Sequence, residues 1–220
     1  MIIKLAPQLV NLAATLILML SFAMISQRRI SSLINLFTIQ GAALVAASIL
    51  LGYVTHQPDL YISAALTLAL KVIFIPWMLH RVIRKLNVRW DVETLINIPT
   101  TMLVGIGLVI FSFSLAWPIS RLSHNLAGGS LGIALAVVLL SFMMMITRSK
   151  AVPQIIGFLS IENGLVFAAI SVTNGMPMIV EFGVALDLLV AVLILGVFMF
   201  QIREKIDSLD IHKLEALKED

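Results

Sequence analysis

The chain has 220 residues, of which 60% are hydrophobic and only 12% charged, with a mean hydropathy of +1.05. Soluble domains hold about 45–50% apolar and about 25% charged residues, so this composition marks an integral membrane protein. The formal charge of +3 and a pI near 9.5 reflect orientation in a membrane better than nucleic-acid binding, and the absence of cysteine excludes disulfides, thiolate metal sites, thiolate-held iron–sulfur clusters and a cysteine nucleophile.

A membrane span needs about 20 mostly apolar residues. The sequence predicts seven, at roughly 8–27, 30–54, 60–82, 97–118, 129–147, 151–173 and 178–201. The first, with its core at Leu9–Ser26, follows a single basic residue, Lys4, and lacks a small-residue cleavage site, so it reads as a retained span. The breaks carry turn or polar chemistry, from Gln27-Arg28-Arg29 to Asn174-Gly175-Met176-Pro177. Short connectors make consecutive helices antiparallel neighbours. The four histidines, His56, His80, His124 and His212, fall at segment ends, in loops or in the tail, which excludes a haem held between two mid-membrane histidines. No glycine-rich phosphate loop occurs.

Orientation follows from the basic residues. Arg28, Arg29, Arg81, Arg84, Lys85, Arg89, Arg148, Lys150, Arg203, Lys205, Lys213 and Lys218 fall on one side, and only Lys4 and Arg121 on the other. That bias predicts a periplasmic N-terminus and a cytoplasmic C-terminus, which an odd number of spans also requires.

The stretch from Gln27 to Gly41 echoes the stretch from Arg148 to Gly164. Each has a basic turn, an apolar run, and a mid-helix polar residue (Gln40; Glu162 and Asn163) with glycine close behind. The expected plan is one all-α, seven-helix membrane bundle over residues 1–220. Parallel three-helix repeats, at about 8–82 and 129–201, flank a linking helix at 97–118, with a tail at 203–220.

Three ionisable residues lie near the centres of apolar stretches: Lys71, Glu162 and Asp187. A charge at mid-bilayer costs at least about 2.5–3.5 kcal/mol on insertion scales and faces a partner, a cavity or an ion path. Desolvation penalises the charged form of Glu162, which makes it a candidate to take up and release a proton, or to ligate a cation. The alternative is a protonated acid that only fastens helices. Asp187 is its expected companion, or else a structural acid paired with another subunit. Lys71 reads as a positive element beside an acid, as a proton site, or as a fixed counter-ion. Pro76 deprives the Val72 carbonyl of its usual donor, so the third span should bend beside Lys71. Gln40, Asn35 and Asn163 are expected to make interhelical hydrogen bonds. The basic cluster Arg81, Arg84, Lys85 and Arg89 anchors topology and can meet anionic lipid or an acidic partner.

From Ile155 to Gly164, and again from Phe182 to Leu189, the sequence resembles the three-helix K-type subunit of respiratory complex I. It is also similar to the C-type subunit of multisubunit cation/proton antiporters. The whole chain resembles the component E family of hydrogenase-4. The family's first intramembrane glutamate falls on Glu162, and its second falls near Asp187 with a different spacing. In the N-terminal repeat the same slots hold Gln40 and, approximately, Lys71. The resemblance implies a non-catalytic membrane subunit of a complex-I-like nickel–iron hydrogenase in a bacterial or archaeal cytoplasmic membrane. Its carboxylates would serve proton translocation or coupling. The implied partners are antiporter-like and redox-anchor subunits within the lipid bilayer, with no nucleic acid. The chain itself would hold no cofactor, and the nickel–iron centre and iron–sulfur clusters would lie in partner subunits. An antiporter subunit without a redox module and a scaffold that moves no ion remain as alternatives.

Overall fold

A computed structural model of the chain describes residues 2–86, 96–122 and 127–173, together with Gly183, Leu189 and Gly196. All regular structure among the described residues is helical. Helices α1 (Ile2–Ser26) and α2 (Ile30–Thr55) form an antiparallel pair joined at Gln27-Arg28-Arg29. The α2 helix stops where His56 enters the left-handed region at φ 54°, and Pro58 follows, a residue common just beyond helix ends. Pro58 then starts the next helix with φ −65°, already suited to a first turn.

The third span is one continuous helical rod of three parts. Helix α3 (Asp59–Thr67) leads into a π-helical stretch at Leu68–Phe74, and α4 (Ile75–Leu86) continues from it. The amide of Ile75 donates to the Leu70 carbonyl, five residues back. Where the sequence led to an expected bend beside Lys71, the span has a widened turn, with Pro76 just beyond it withholding a donor. Helix α5 (Ile98–Leu122) is followed by α6 (Ala127–Thr147) and α7 (Ala151–Thr173), the latter two joined by the turn at Arg148-Ser149-Lys150.

Six of these helical stretches are long and apolar enough to cross a membrane: Gln8–Ser26, Ile30–Thr55, Asp59–Arg81, Ile98–Pro118, Ser130–Thr147 and Ala151–Ser171. They coincide closely with the first six expected spans. The seventh expected span, at 178–201, lies outside the described residues except for Gly183, Leu189 and Gly196. The chain is a multi-pass membrane protein.

Packing centres on two hairpins. Helix α1 lies on α2 and α6 on α7, and the hairpins meet through α1 against α6 and α2 against α7. These cross-pairs are the helices that the internal echo relates. The third span packs on α2, while α5 sits outside, against α6 and α1. It leaves Leu103, Ile106, Ile110 and Phe111 exposed, as a helix bordered by lipid does.

The core separates into two apolar layers. One contains Met24, Ile34, Phe37, Met78, Leu140 and Leu159. The other contains Ala14, Ile17, Leu44, Leu60, Val137 and Phe167. On four of the spans a group of buried polar residues falls between the layers: Ser21 on α1, Gln40 on α2, Lys71 on the π stretch, and Ser160, Glu162 and Asn163 on α7. The bundle therefore holds a polar stratum at mid-depth, sealed above and below by hydrocarbon side chains.

Candidate functional site

The centre of that stratum is an ion pair. Lys71 Nζ lies 2.9 Å from Glu162 Oε1, with both side chains 2% exposed. The same ammonium donates to Asn163 Oδ1 at 3.0 Å. Asn163 Nδ2 donates to Gln40 Oε1 at 3.1 Å, and Gln40 Nε2 donates to Ser21 Oγ at 2.9 Å. Ser21 in turn donates to the Ile17 carbonyl at 3.0 Å. One polar chain thus ties four spans together at a single depth.

The direction of this chain is forced. An ammonium has donors only, so Asn163 must present its oxygen to Lys71 and its nitrogen to Gln40. Gln40 is fixed in the same way, and Ser21 must then spend its proton on Ile17. Every amide oxygen faces towards Lys71, and these dipoles stabilise a positive charge there. The Glu162 carboxylate does so more strongly, and each charge offsets part of the other's desolvation. Chemically, the pair can exchange a proton between ammonium and carboxylate, which leaves amine and acid, both neutral. The amides are poor proton carriers, and their hydrogen bonds can only orient the pair.

Close helix approach makes these bonds possible, and glycine permits it. A Cβ on Gly41 would lie 3.6 Å from Lys71 Cβ and 3.4 Å from Val72 Cγ2. On Gly164 it would meet Val138 Cγ2 at 2.8 Å and the Ala134 carbonyl at 3.3 Å. The glycine behind each mid-helix polar group therefore lets the next helix come close. A Cβ added to Gly183 would stand 3.7 Å from Glu162 Oε1.

The structure thus gathers Lys71, Glu162, Asn163 and Gln40 into one cluster. Asp187 lies outside the described residues. Asn35 corrects an expectation. It is exposed and makes no interhelical hydrogen bond among the described residues, because five residues separate it from Gln40, about 140° around the helix axis.

Sequence reasoning missed four residues. Ser21 and the Ser141–Ser160 pair, whose hydroxyls lie 2.7 Å apart, carry no signal of their own. A serine in a membrane helix by default bonds its own preceding turn. Arg148, read as an orientation charge, is instead buried and donates to the Ile25 carbonyl at 2.5 Å and the Met24 carbonyl at 3.4 Å. It caps the C-terminus of α1 from the turn of the opposite hairpin. Burial pushes its guanidinium below its ordinary value, though a guanidinium remains charged in proteins regardless. Among the described residues no group of three His, Asp or Glu side chains comes together to hold a metal ion.

No protein-family model and no solved structure matches the chain. The uncharacterized protein Rv0085 of Mycobacterium tuberculosis is 32% identical over 212 residues, which cover 96% of each chain. The chain belongs to that protein's family. Hydrogenase-4 component E of Escherichia coli strain K12 is 23% identical over 210 residues, covering 96% of this chain and 97% of that protein. Component E of Shigella flexneri matches to the same extent. This second likeness is distant, but it runs almost end to end and links the chain to a related family.

Proposed function

We propose that the chain is a non-catalytic membrane subunit of a complex-I-like nickel–iron hydrogenase of the hydrogenase-4 type, seated in a bacterial or archaeal cytoplasmic membrane. Its Lys71–Glu162 pair would take part in proton translocation or coupling. The observation that carries this reading is the buried pair itself, continuous with Asn163, Gln40 and Ser21 at mid-depth. A charged pair buried inside a membrane bundle is costly to keep, and amides alone would join helices at less cost. The distant likeness to hydrogenase-4 component E supports the choice of assembly. In this reading Asp187 belongs to the same path, and antiporter-like and redox-anchor subunits are the neighbours. The nickel–iron centre and iron–sulfur clusters would belong to partners.

The test is made in the intact complex. The chain, affinity-tagged in its native host, should bring down hydrogenase subunits; recovery of antiporter subunits without them would instead assign it to a multisubunit antiporter. Glu162→Gln should leave assembly and hydrogen turnover measurable in proteoliposomes while proton movement, followed by a trapped pH dye, is lost.

One observation favours a second reading, that of a scaffold. Lys71 and Glu162 satisfy each other directly, as a structural pair would. Under that reading Glu162→Gln either prevents assembly or leaves proton movement unchanged.

A further inference from the structure

A second cluster lies at the end of the third span, away from the buried pair. Among the described residues, Trp77, His80, Arg81 and Arg84 of α4 line an open cavity of about 540 Å³. Their spacing of three, four and seven residues puts them on one helical stripe. The Arg81 guanidinium sits 5.1 Å from the centre of the Trp77 ring, a cation–π arrangement that holds the charge over the aromatic face. His80 Nδ1 lies 2.8 Å from the Pro76 carbonyl. That oxygen only accepts, so Nδ1 carries a proton, and in the neutral ring Nε2 is the acceptor. Arg81 and Arg84 are both exposed.

Depth identifies the environment. Arg81 lies ten residues beyond Lys71 and Arg84 thirteen, about 15–20 Å along the helix. Half the hydrocarbon thickness is about 15 Å, so with Lys71 at mid-depth the two arginines stand at the level of lipid headgroups. Below them the same side of the span exposes Ile73, Phe74 and Trp77. The track is apolar towards the membrane centre and cationic at its edge, the reverse image of an anionic amphiphile. An acidic protein partner would match the arginines but not the apolar approach beneath them.

We propose that Trp77, His80, Arg81 and Arg84 form a headgroup site for an acidic, hydroxyl-bearing phosphodiester lipid of the phosphatidylglycerol class. The phosphodiester oxygens accept from the two arginines, a headgroup hydroxyl donates to His80 Nε2, and the acyl chains run along Ile73 and Phe74. The site does not depend on the hydrogenase reading.

Native mass spectrometry of the full chain in mild detergent, titrated with dioleoylphosphatidylglycerol and separately with dioleoylphosphatidylcholine, tests this. The unaltered chain should hold phosphatidylglycerol about tenfold more tightly or better, and the double variant Arg81→Gln/Arg84→Gln should lose about fivefold per arginine, roughly 25-fold in all. Phosphatidylcholine has the same phosphodiester but offsets it with its own choline cation, so its binding should fall by less than phosphatidylglycerol's. Arg28→Gln/Arg29→Gln, at an exposed turn elsewhere, should alter phosphatidylglycerol binding by less than twofold. If the double variant does not yield folded protein, Arg84→Gln alone gives the fivefold form of the test. Equal binding of the two lipids, or an unchanged affinity in the arginine variants, overturns the proposal. So does displacement of the lipid by millimolar inorganic phosphate, which would mark a soluble-anion site. A photo-reactive group replacing Trp77 that cross-links an acidic protein in native membranes, rather than lipid, also overturns it.

Discussion

Replacing Lys71 with methionine removes the cation that stands 2.9 Å from Glu162 and leaves a buried carboxylate without its counter-charge. Breaking a buried pair in this way costs about 3–5 kcal/mol. Glu162→Gln should be milder, because the new amide oxygen can still accept from Nζ and Asn163 Oδ1 remains 3.0 Å away. Its cost should be that of weakening a charged hydrogen bond, about 1.5–3 kcal/mol. The double variant Lys71→Met/Glu162→Gln removes both charges, and uncharged replacement of a buried pair is often close to neutral. It should therefore be no less stable than Glu162→Gln, giving a coupling energy of at least about 3 kcal/mol, the cost of Lys71→Met alone. Equilibrium unfolding in mixed micelles, followed by the fluorescence of the three tryptophans, measures all four corners of the cycle. If the two single costs add to within about 0.5 kcal/mol, the two charges do not stabilise one another and the central pair is not the organising contact argued above.

Gln40→Leu should cost about 1–3 kcal/mol, because it strips Asn163 Nδ2 of its acceptor inside the core. Asn35→Leu, five residues earlier on the exposed side, should stay within about 0.5 kcal/mol in the same unfolding assay. Gly164→Ala should lower the melting midpoint, at a cost of about 1–3 kcal/mol for overpacking against Val138 and the Ala134 carbonyl. Gly183→Ala meets only ordinary contact distances and should melt as the unaltered chain does. Arg148→Gln should cost about 1.5–3 kcal/mol by removing a charged donor from the end of α1. Arg148→Lys should restore only part of this, since a compact ammonium cannot reproduce the guanidinium fork.

Much of the architecture was readable from the chain. The first six expected spans differ from the observed ones by a residue or two, because an apolar run of membrane length has few other stable forms. Glu162, Asn163, Gln40 and Lys71 stood out for the same reason: their cost in hydrocarbon is visible in one dimension. Their mutual arrangement was not. Sequence reasoning offered Asp187 as the companion of Glu162, whereas Lys71 is the partner among the described residues, across a separation of 91 positions. Asn35 and Gln40 looked alike as polar interruptions of one span, yet only one reaches the core. The π-helical turn around Lys71 was legible only as a local fault announced by Pro76. Arg148 looked like one more basic residue at a membrane edge until the two hairpins were seen to meet beside it.

The sequence by itself settled that this is a helical membrane protein, and how deep each polar residue sits. Residue number along a span converts directly into depth at about 1.5 Å per residue, and an environment without water leaves helix as the backbone's answer. The tertiary structure alone decided which way each of those residues points. Side chains advance about 100° per residue around a helix axis, and the rotation of each axis is set by how neighbouring helices pack. That packing turned a lysine, a glutamate and two amides on three separate spans into one directed chain, and left an asparagine on one of those spans outside it.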